Sequence, residues 1–145
     1  MPVSRIHIIK QGSLTVDAFE SPSPSLIAVK YLSGIGGNST VTYVESDAKI
    51  LVDTGFEFEM DLGRDNIARN KKLLVRSLKD HAITPKDIDI LFITHWHADH
   101  FMNYDIFSDS EIIMAEPAVK RHHLEFTGVS DGDKIADGVQ VLFTP

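Results

Sequence analysis

The apolar run IDILFIT at residues 88–94 passes directly into HWHADH at 95–100, which holds three of the chain's seven histidines. A nearly continuous apolar strand is typical of the middle of a sheet that is covered on both faces. The pattern therefore predicts a layered fold whose central strand ends at a group of ionisable side chains.

The elements around this strand indicate an α/β fold. Strands are predicted where β-branched and apolar residues run or alternate, and two of them form a hairpin around Asp47. The predicted strands before the histidine cluster are RIHII (5–9), SLIAVKYL (25–32), STVTYVES (39–46) and AKILVDTG (48–55). SPSPS (21–25) between the first two predicts a loop, and the glycines of SGIGGN (33–38) predict a turn, because no helix follows them.

Helices are predicted later in the chain. Ile67, Leu74 and Leu78 fall on one helical face, with Asp65 as the N-cap. TPKD at 84–87 has the pattern of a capping box with proline in the first turn. After the histidine cluster we expect a short helical stretch at FMNYDIF (101–107), a strand at EIIMA (111–115), a helix at EPAVKRHH (116–123) and a turn at SDGD (130–133). This order of strands first and alternating elements later favours a sheet covered by helices.

Composition excludes several classes of protein. The chain has 145 residues and no cysteine, so disulfides are absent and a metal site would have to use His, Asp or Glu. Its net charge of −7 opposes non-specific binding to nucleic-acid phosphates, although a local positive site is compatible with it. The amino-terminal segment lacks a signal-peptide core, and no run approaches the length of a membrane span. We expect a cytoplasmic protein.

The spacing of the cluster predicts metal binding. In an extended chain His95, His97 and Asp99 project to the same face. Two imidazoles placed in this way can share a divalent ion. His100 breaks the alternation, so the chain must turn there, into a helix, if His100 is also a ligand. The other histidines, His7, His81, His122 and His123, are predicted to be surface or capping residues.

The sequence THWHADH at 94–100 resembles the metal-binding signature of the metallo-β-lactamase-fold hydrolases. The resemblance extends along the chain in order: NSTVTYVESDAKILVDTG (38–55) is similar to the early hairpin with its Asp-x-Gly turn, and ITPKDIDILFITHWHADH (83–100) to the helix, strand and ligand loop. SDGDKIADGVQVLFTP (130–145) resembles the stretch that leads to the next ligand.

This resemblance implies a site with one or two metal ions, with zinc expected and iron or manganese as alternatives. His95 and His97 would bind the first ion, and Asp99 and His100 the second. Asp99 would also be catalytic, because it can orient the attacking water or accept its proton. Asp53 would hold a ligand in place through a hydrogen bond, a role that carboxylates near metals often have.

The resemblance also implies that residues 1–145 are the amino-terminal half of an αββα sandwich, with a mixed sheet and helices on its outer face. In the family a sequence like FTP is followed by Gly-His, which supplies the third ligand, and the chain ends at Pro145, before it. Each metal would then have two protein ligands, fewer than the three typical of catalytic zinc. The inner apolar face of the sheet would lie open. We expect the second half to come from a longer protein or from another chain.

The function predicted first is hydrolysis of an ester, thioester, lactone or related bond in a small molecule. A metal ion lowers the pKa of bound water to around 7, and the resulting hydroxide attacks the substrate. A nuclease or phosphodiesterase of the same fold is the first alternative. A di-iron oxidoreductase is another, although histidine at position 97, where such relatives carry glutamate, favours zinc. An inactive interaction module is the last. In GFEFEMDLG (55–63), Phe56, Phe58 and Met60 would either wall the site or pack on the sandwich edge.

Overall fold

The computed structural model describes residues 3–14, 37–57 and 64–144. The strands are β1 (Arg5–Lys10), β2 (Ser13–Leu14), β3 (Gly37–Asn38), β4 (Val41–Glu45), β5 (Lys49–Val52), β6 (Ile90–Phe92), β7 (Glu111–Ala115), β8 (Thr127–Val129), β9 (Lys134–Ala136) and β10 (Val139–Gln140). The α-helices are α1 (Arg64–Asp80), α2 (Ala98–Phe101) and α3 (Glu116–Arg121), and single 3-10 turns lie at Pro85–Asp87 and Tyr104–Ile106.

Six of these strands form one mixed sheet in the order β1-β4-β5-β6-β7-β8. The first three strands pair antiparallel, and β5 to β8 pair parallel. The predicted hairpin between β4 and β5 and the predicted central position of β6 are confirmed. The mixed sheet with helices also confirms the predicted fold class.

One face of the sheet carries the main core. Tyr43, Leu51, Leu91 and Met114 alternate inward from four neighbouring strands and are fully buried. The apolar face of α1 packs in the same cluster through Leu74 and Leu78, as predicted, whereas Ile67 is only half-buried. Phe107 closes the cluster after α2. Burying these side chains is the main favourable term in forming this layer.

The opposite face carries a second cluster, in which Ile50, Ile90 and Ile113 pack with Val129 and Val141. The β9–β10 hairpin covers part of this face through Ile135 and Val139. Towards the β1 edge the face is open to solvent.

Two isoleucines mark this open region. Ile6 and Ile8 pair with Val44 and Thr42 of β4 and are 63% and 53% exposed. Apolar side chains grouped like this on a sheet usually mark a surface that another element covers.

Several predicted boundaries differ from the structure. Helix α1 begins at Arg64, which places Asp65 in the first turn instead of at the N-cap. The capping box at Thr84 and Asp87 forms, but it opens only one 3-10 turn, because Ile88 already has extended backbone angles leading into β6. The predicted strand at 25–32, the loop at 21–25 and most of the glycine turn lie outside the described residues. None of the described helices is long and apolar enough to cross a membrane.

Tyr43 couples the stability of the sheet to alkaline pH. Its hydroxyl donates to Glu45 over 2.5 Å, and Arg5 donates to the same carboxylate oxygen over 2.6 Å. Burial and the hydrogen bond to Glu45 raise the pKa of Tyr43 to about 12. A raised pKa means that the folded state favours the neutral phenol. The stabilisation is complete below the unfolded pKa of about 10 and is lost as the pH rises towards 12.

We therefore expect Tyr43→Phe to become less destabilising, relative to wild type, as the pH rises through this interval. Denaturant unfolding of both proteins at pH values below 10 and near 12 measures the difference. Taking the difference in unfolding free energy between the two proteins removes the contribution of lysine titration, because both proteins share it. A constant difference across the interval would show that Tyr43 does not titrate differently in the two states.

Candidate metal centre

The candidate site lies where two adjacent parallel strands end. Asp53 follows β5, and the stretch from Thr94 to His100 follows β6. The backbone N–H of Asp53 donates to the carbonyl of Phe92 over 2.8 Å, which joins the two strand ends. In sheets with parallel strands, ligands bind beyond the carboxyl ends.

The turn after β5 has a backbone that few residues adopt. Asp53 has φ +62° and Gly55 has φ +63°. Aspartate tolerates this left-handed region better than most residues, and glycine adopts it freely. At Gly55 a Cβ would also lie 2.9 Å from Cγ2 of Val41 and 3.2 Å from the carbonyl oxygen of Ser39. The turn that orients Asp53 therefore requires glycine two residues later.

The Asp53 carboxylate connects the two loops. It is 4% exposed, and its Oδ1 accepts from the backbone N–H of Thr94 over 2.8 Å. Its Oδ2 accepts from the Thr94 hydroxyl over 2.8 Å and lies 2.7 Å from Nδ1 of His100. Because a carboxylate only accepts, the proton of this last contact lies on His100 Nδ1, which leaves Nε2 as the unprotonated nitrogen of the neutral ring.

The side chains of His95 and His97 converge. Nε2 of His95 lies 3.1 Å from Nδ1 of His97, and their ring centroids are 4.5 Å apart. The ring of His95 also lies beside that of His100, with centroids 3.9 Å apart. Trp96 points to the other side, where it stacks on Phe101 and packs against the main core.

The chain turns earlier than predicted. His97 is the last extended residue, and α2 begins at Ala98, with the N–H of His100 bonded to the carbonyl of His97. The prediction that Asp99 continues the extended alternation is therefore wrong. Asp99 and His100 both lie on the first turn of α2, and this short helix is what brings them beside the two histidines.

Asp99 is a buried carboxylate with one oxygen available. It is 7% exposed, and its Oδ1 has no hydrogen-bond partner among the described residues. Its Oδ2 lies 3.5 Å from Nε2 of His100. The hydroxyl of Ser39 donates to the backbone carbonyl of Asp99 over 2.7 Å and accepts from the N–H of Gly55 over 3.2 Å. A buried carboxylate oxygen without a partner is costly unless a cation or a proton satisfies it.

The surroundings shift the pKa values of three of these groups. Partial burial of the ring, followed by the charges of His100 and His97, lowers the pKa of His95, so its ring nitrogens stay available. Burial raises the pKa of Asp99. Burial opposes the charged form of His100, but the hydrogen bond to Asp53 and the charges of Asp53 and Asp99 outweigh it and raise its pKa.

The donors fit a metal centre as two pairs. Two nitrogens that share a tetrahedral zinc at 2.0–2.1 Å lie about 3.3 Å apart, close to the 3.1 Å between His95 and His97. Asp99 and His100 supply the carboxylate and imidazole of the second pair. Across residues 3–14, 37–57 and 64–144, no three His, Asp or Glu side chains are grouped so as to hold one ion. The division into two ligands for each ion and the ligand roles remain predictions.

The remaining predicted residues lie apart from this site. His7 and His81 neighbour each other, with ring centroids 5.5 Å apart, and His122 and His123 follow α3 on the surface. Phe56 is fully buried, which agrees with packing and not with a wall open to a substrate. Phe58 and Met60 lie outside the described residues.

Sequence reasoning missed three polar residues that build the site. Thr94 and Ser39 bond to Asp53 and Asp99, as described above. The buried side chain of Asn103 donates to the carbonyls of Gly55 and Thr54 over 2.5 and 3.3 Å. The position of Thr94 between strand and cluster was a usable signal. Nothing in the sequence near Ser39 or Asn103 distinguishes them from ordinary loop residues.

Comparison with known proteins shows which proteins this chain resembles. It is 28% identical to metallo-beta-lactamase domain-containing protein 1 of Xenopus laevis over 90 residues, which make up 59% of this chain and 34% of that protein. A quorum-quenching N-acyl homoserine lactone lactonase superposes with a TM-score of 0.65 at 20% identity, covering 100% of this chain and 65% of that one.

An N-acyl homoserine lactone hydrolase with N-hexanoyl-L-homoserine bound at its catalytic metal centre gives 0.66 at 19% identity, covering 100% of this chain and 67% of that one. These two likenesses show the fold. The chain spans about a third of the curated relative and about two thirds of the two solved structures.

A family model described as the metallo-beta-lactamase superfamily matches residues 34–139. The match includes most of the chain, the turn at Asp53 and the whole histidine cluster. This chain belongs to the metallo-β-lactamase superfamily.

Proposed function

We propose that this chain forms part of a metal-dependent hydrolase that opens a lactone, ester or thioester bond in a small molecule. The observation that carries the proposal is the convergence of His95, His97, Asp99 and His100 beside the carboxylate of Asp53. Clustered donors of these types at the carboxyl ends of parallel strands have the chemistry of a zinc site.

The residues would divide the work as two pairs. His95 and His97 would hold one ion, and Asp99 and His100 the other, with zinc as the expected metal and iron or manganese as alternatives. When bound, the metal supplies Lewis-acid chemistry that polarises the substrate carbonyl and makes water a better nucleophile. Asp53 keeps the Nε2 lone pair of His100 directed into the site by holding the proton on Nδ1.

Asp99 is the proposed catalytic carboxylate. Its buried Oδ1 lies at the site without another partner among the described residues, so it can orient a water molecule and accept its proton. Because burial raises its pKa, Asp99 is a better proton acceptor than an ordinary aspartate.

A lactone is the favoured substrate class. Two of the structures with this fold are described as N-acyl homoserine lactone enzymes, and this chain aligns with them over its full length. The net charge of −7 makes a polynucleotide the less suitable substrate. Fold likeness alone does not select a substrate, so the choice of a lactone is part of the proposal.

We also propose that the second αβ half of the sandwich covers the open sheet face at Ile6 and Ile8 and completes the ligand sets. The exposed isoleucines, the two-donor sites and the coverage of only 65–67% of the lactone enzymes support this. The half would belong either to a longer form of this chain or to a separate subunit.

The protein isolated from its own cells through a tag at its amino terminus tests both proposals. Elemental analysis, the mass of the isolated assembly and turnover of an acyl homoserine lactone, a thioester and a bis-aryl phosphate are measured together. Zinc with lactone turnover is expected. Preference for the phosphate diester would indicate a phosphodiesterase, and iron without hydrolysis would indicate an oxidoreductase. An isolated protein with no bound metal and no turnover of any of the three substrates would reject the proposed hydrolase. A fully metallated, active monomer of 145 residues would reject the proposal that a second half completes the site.

A further inference from the structure

The hydroxyl of Thr94 is a junction between three side chains of the candidate site. Its Oγ1 lies 2.8 Å from Oδ2 of Asp53, 3.0 Å from Nδ1 of His95 and 3.3 Å from Nδ1 of His100. The backbone N–H of Thr94 is bound to the other oxygen of Asp53. The side-chain hydroxyl and the backbone N–H of Thr94 are therefore both bound to the carboxylate of Asp53.

Counting protons decides the direction of each bond. A hydroxyl has one proton to donate, and an ionised carboxylate can only accept, so the proton of Thr94 goes to Asp53. The contact with His95 can then be a hydrogen bond only if the proton lies on Nδ1 of His95 and the hydroxyl accepts it. The proton on Nδ1 of His100 goes to Asp53, which is the closer acceptor at 2.7 Å.

We propose that Thr94 is a positioning residue that fixes the tautomer of His95, with the proton on Nδ1 and the lone pair on Nε2 facing His97. As a step towards metal binding, this rests on the proposed function. As a statement about the metal-free protein, it stands on the hydrogen bonds alone.

A consequence follows at His97. With the lone pair of His95 on Nε2, the 3.1 Å contact requires His97 to donate from its own Nδ1. A cation shared by these two nitrogens needs a lone pair on both. Binding must therefore move the proton of His97 from Nδ1 to Nε2, while His95 keeps its tautomer. The metal-free protein therefore already holds His95 in the tautomer that binds a metal, and only His97 changes its tautomer on binding.

The exposure of Thr94 and His95 sets the expected size of the loss in metal affinity. Thr94 and His95 are both exposed, so water competes for the bond between them. Removal of a hydrogen-bond partner that orients a metal ligand typically weakens metal binding about 10–100-fold. The exposed position puts Thr94→Val near the lower end, at about 10-fold.

Long-range proton–nitrogen NMR of the histidine rings tests the proposal in metal-free, ¹⁵N-labelled protein. The signals of His95 are assigned by their loss in His95→Gln. Wild type should show His95 protonated on Nδ1, Thr94→Ser should keep this tautomer, and Thr94→Val should populate the form protonated on Nε2. Thr127→Val, which removes a threonine hydroxyl at the start of β8, two strands from β6 in the sheet, should leave it unchanged. Titration with Zn²⁺ should then change the His97 pattern and not that of His95.

The outcomes separate this inference from the proposed function. Wild-type His95 protonated on Nε2, or a His95 tautomer unaffected in Thr94→Val, would overturn the inference whatever the protein catalyses. Because the wild-type spectrum alone can decide, a variant that fails to fold does not block the test. The expected tautomers, together with no zinc in the assembly isolated from the protein's own cells, would reject the proposed function and leave the role of Thr94 intact. Equal zinc affinity of Thr94→Val and wild type would reject its link to metal binding.

Discussion

Asp53→Asn is expected to weaken Zn²⁺ binding by about 100-fold while changing the free energy of unfolding by only about 1–2 kcal/mol. Asparagine has almost the same shape, and its Oδ1 can still accept from the backbone N–H of Thr94. Its Nδ2, however, can only donate. The nitrogen of His100 that now gives its proton to Asp53 would have to accept one, so the proton of His100 would move to Nε2. That nitrogen would no longer be available to a metal.

Zinc affinity measured by competition with a chelator, together with denaturant unfolding of the metal-free protein, checks this prediction. Asp105→Asn is the matched control, because Asp105 pairs with Lys71 at an exposed position away from the site. A surface pair of this kind contributes about 0–1 kcal/mol, and its loss should leave zinc affinity unchanged. If Asp53→Asn bound zinc as tightly as wild type, the bond from His100 to Asp53 would not control the ligand.

The sequence predicted the sheet well because the relevant signals are local. The alternation in β4 and β5 decides which residues face the core, and the apolar run around Leu91 requires a central strand. The histidine spacing pointed to the candidate site, because groups that bind one metal ion must lie close together. Each of these features depends on a few residues that are neighbours in the sequence. The tertiary structure keeps the local conformations that those residues favour.

The details of the site depend on contacts distant in sequence, and these were not predictable. The helix begins at Ala98, two residues before the turn that the alternation suggested, and the backbone carbonyl of Asp99 accepts from Ser39, 60 positions away. The bond between His100 and Asp53 spans 47 positions. The family resemblance predicted that Asp53 holds a ligand, but no local pattern encodes which one, so its pairing with His100 became visible only once β5 and β6 were placed side by side.

Asn103 provides the second large effect, because it holds the Asp53 turn against the helix that carries Asp99 and His100. Its side chain is 1% exposed, and its amide donates to the buried carbonyls of Gly55 and Thr54. Asn103→Leu keeps a similar volume but leaves both carbonyls without these donors. Each unsatisfied buried group costs about 1–3 kcal/mol, so with two of them the free energy of unfolding should fall by about 2–6 kcal/mol.

A core truncation of similar cost separates stability from positioning. Leu78→Ala removes a fully buried side chain of α1 and should also cost about 2–5 kcal/mol. Zinc affinity is compared at a temperature where both variants are folded. It should fall in Asn103→Leu, because the Asp53 turn loses two of the hydrogen bonds that join it to the segment after α2, and stay at the wild-type value in Leu78→Ala. Equal affinities in the two variants would mean that Asn103 stabilises the fold without orienting the ligands, and that the strand pairing and the bonds from Thr54 to the carbonyl of His100 are enough to hold Asp53 against His100.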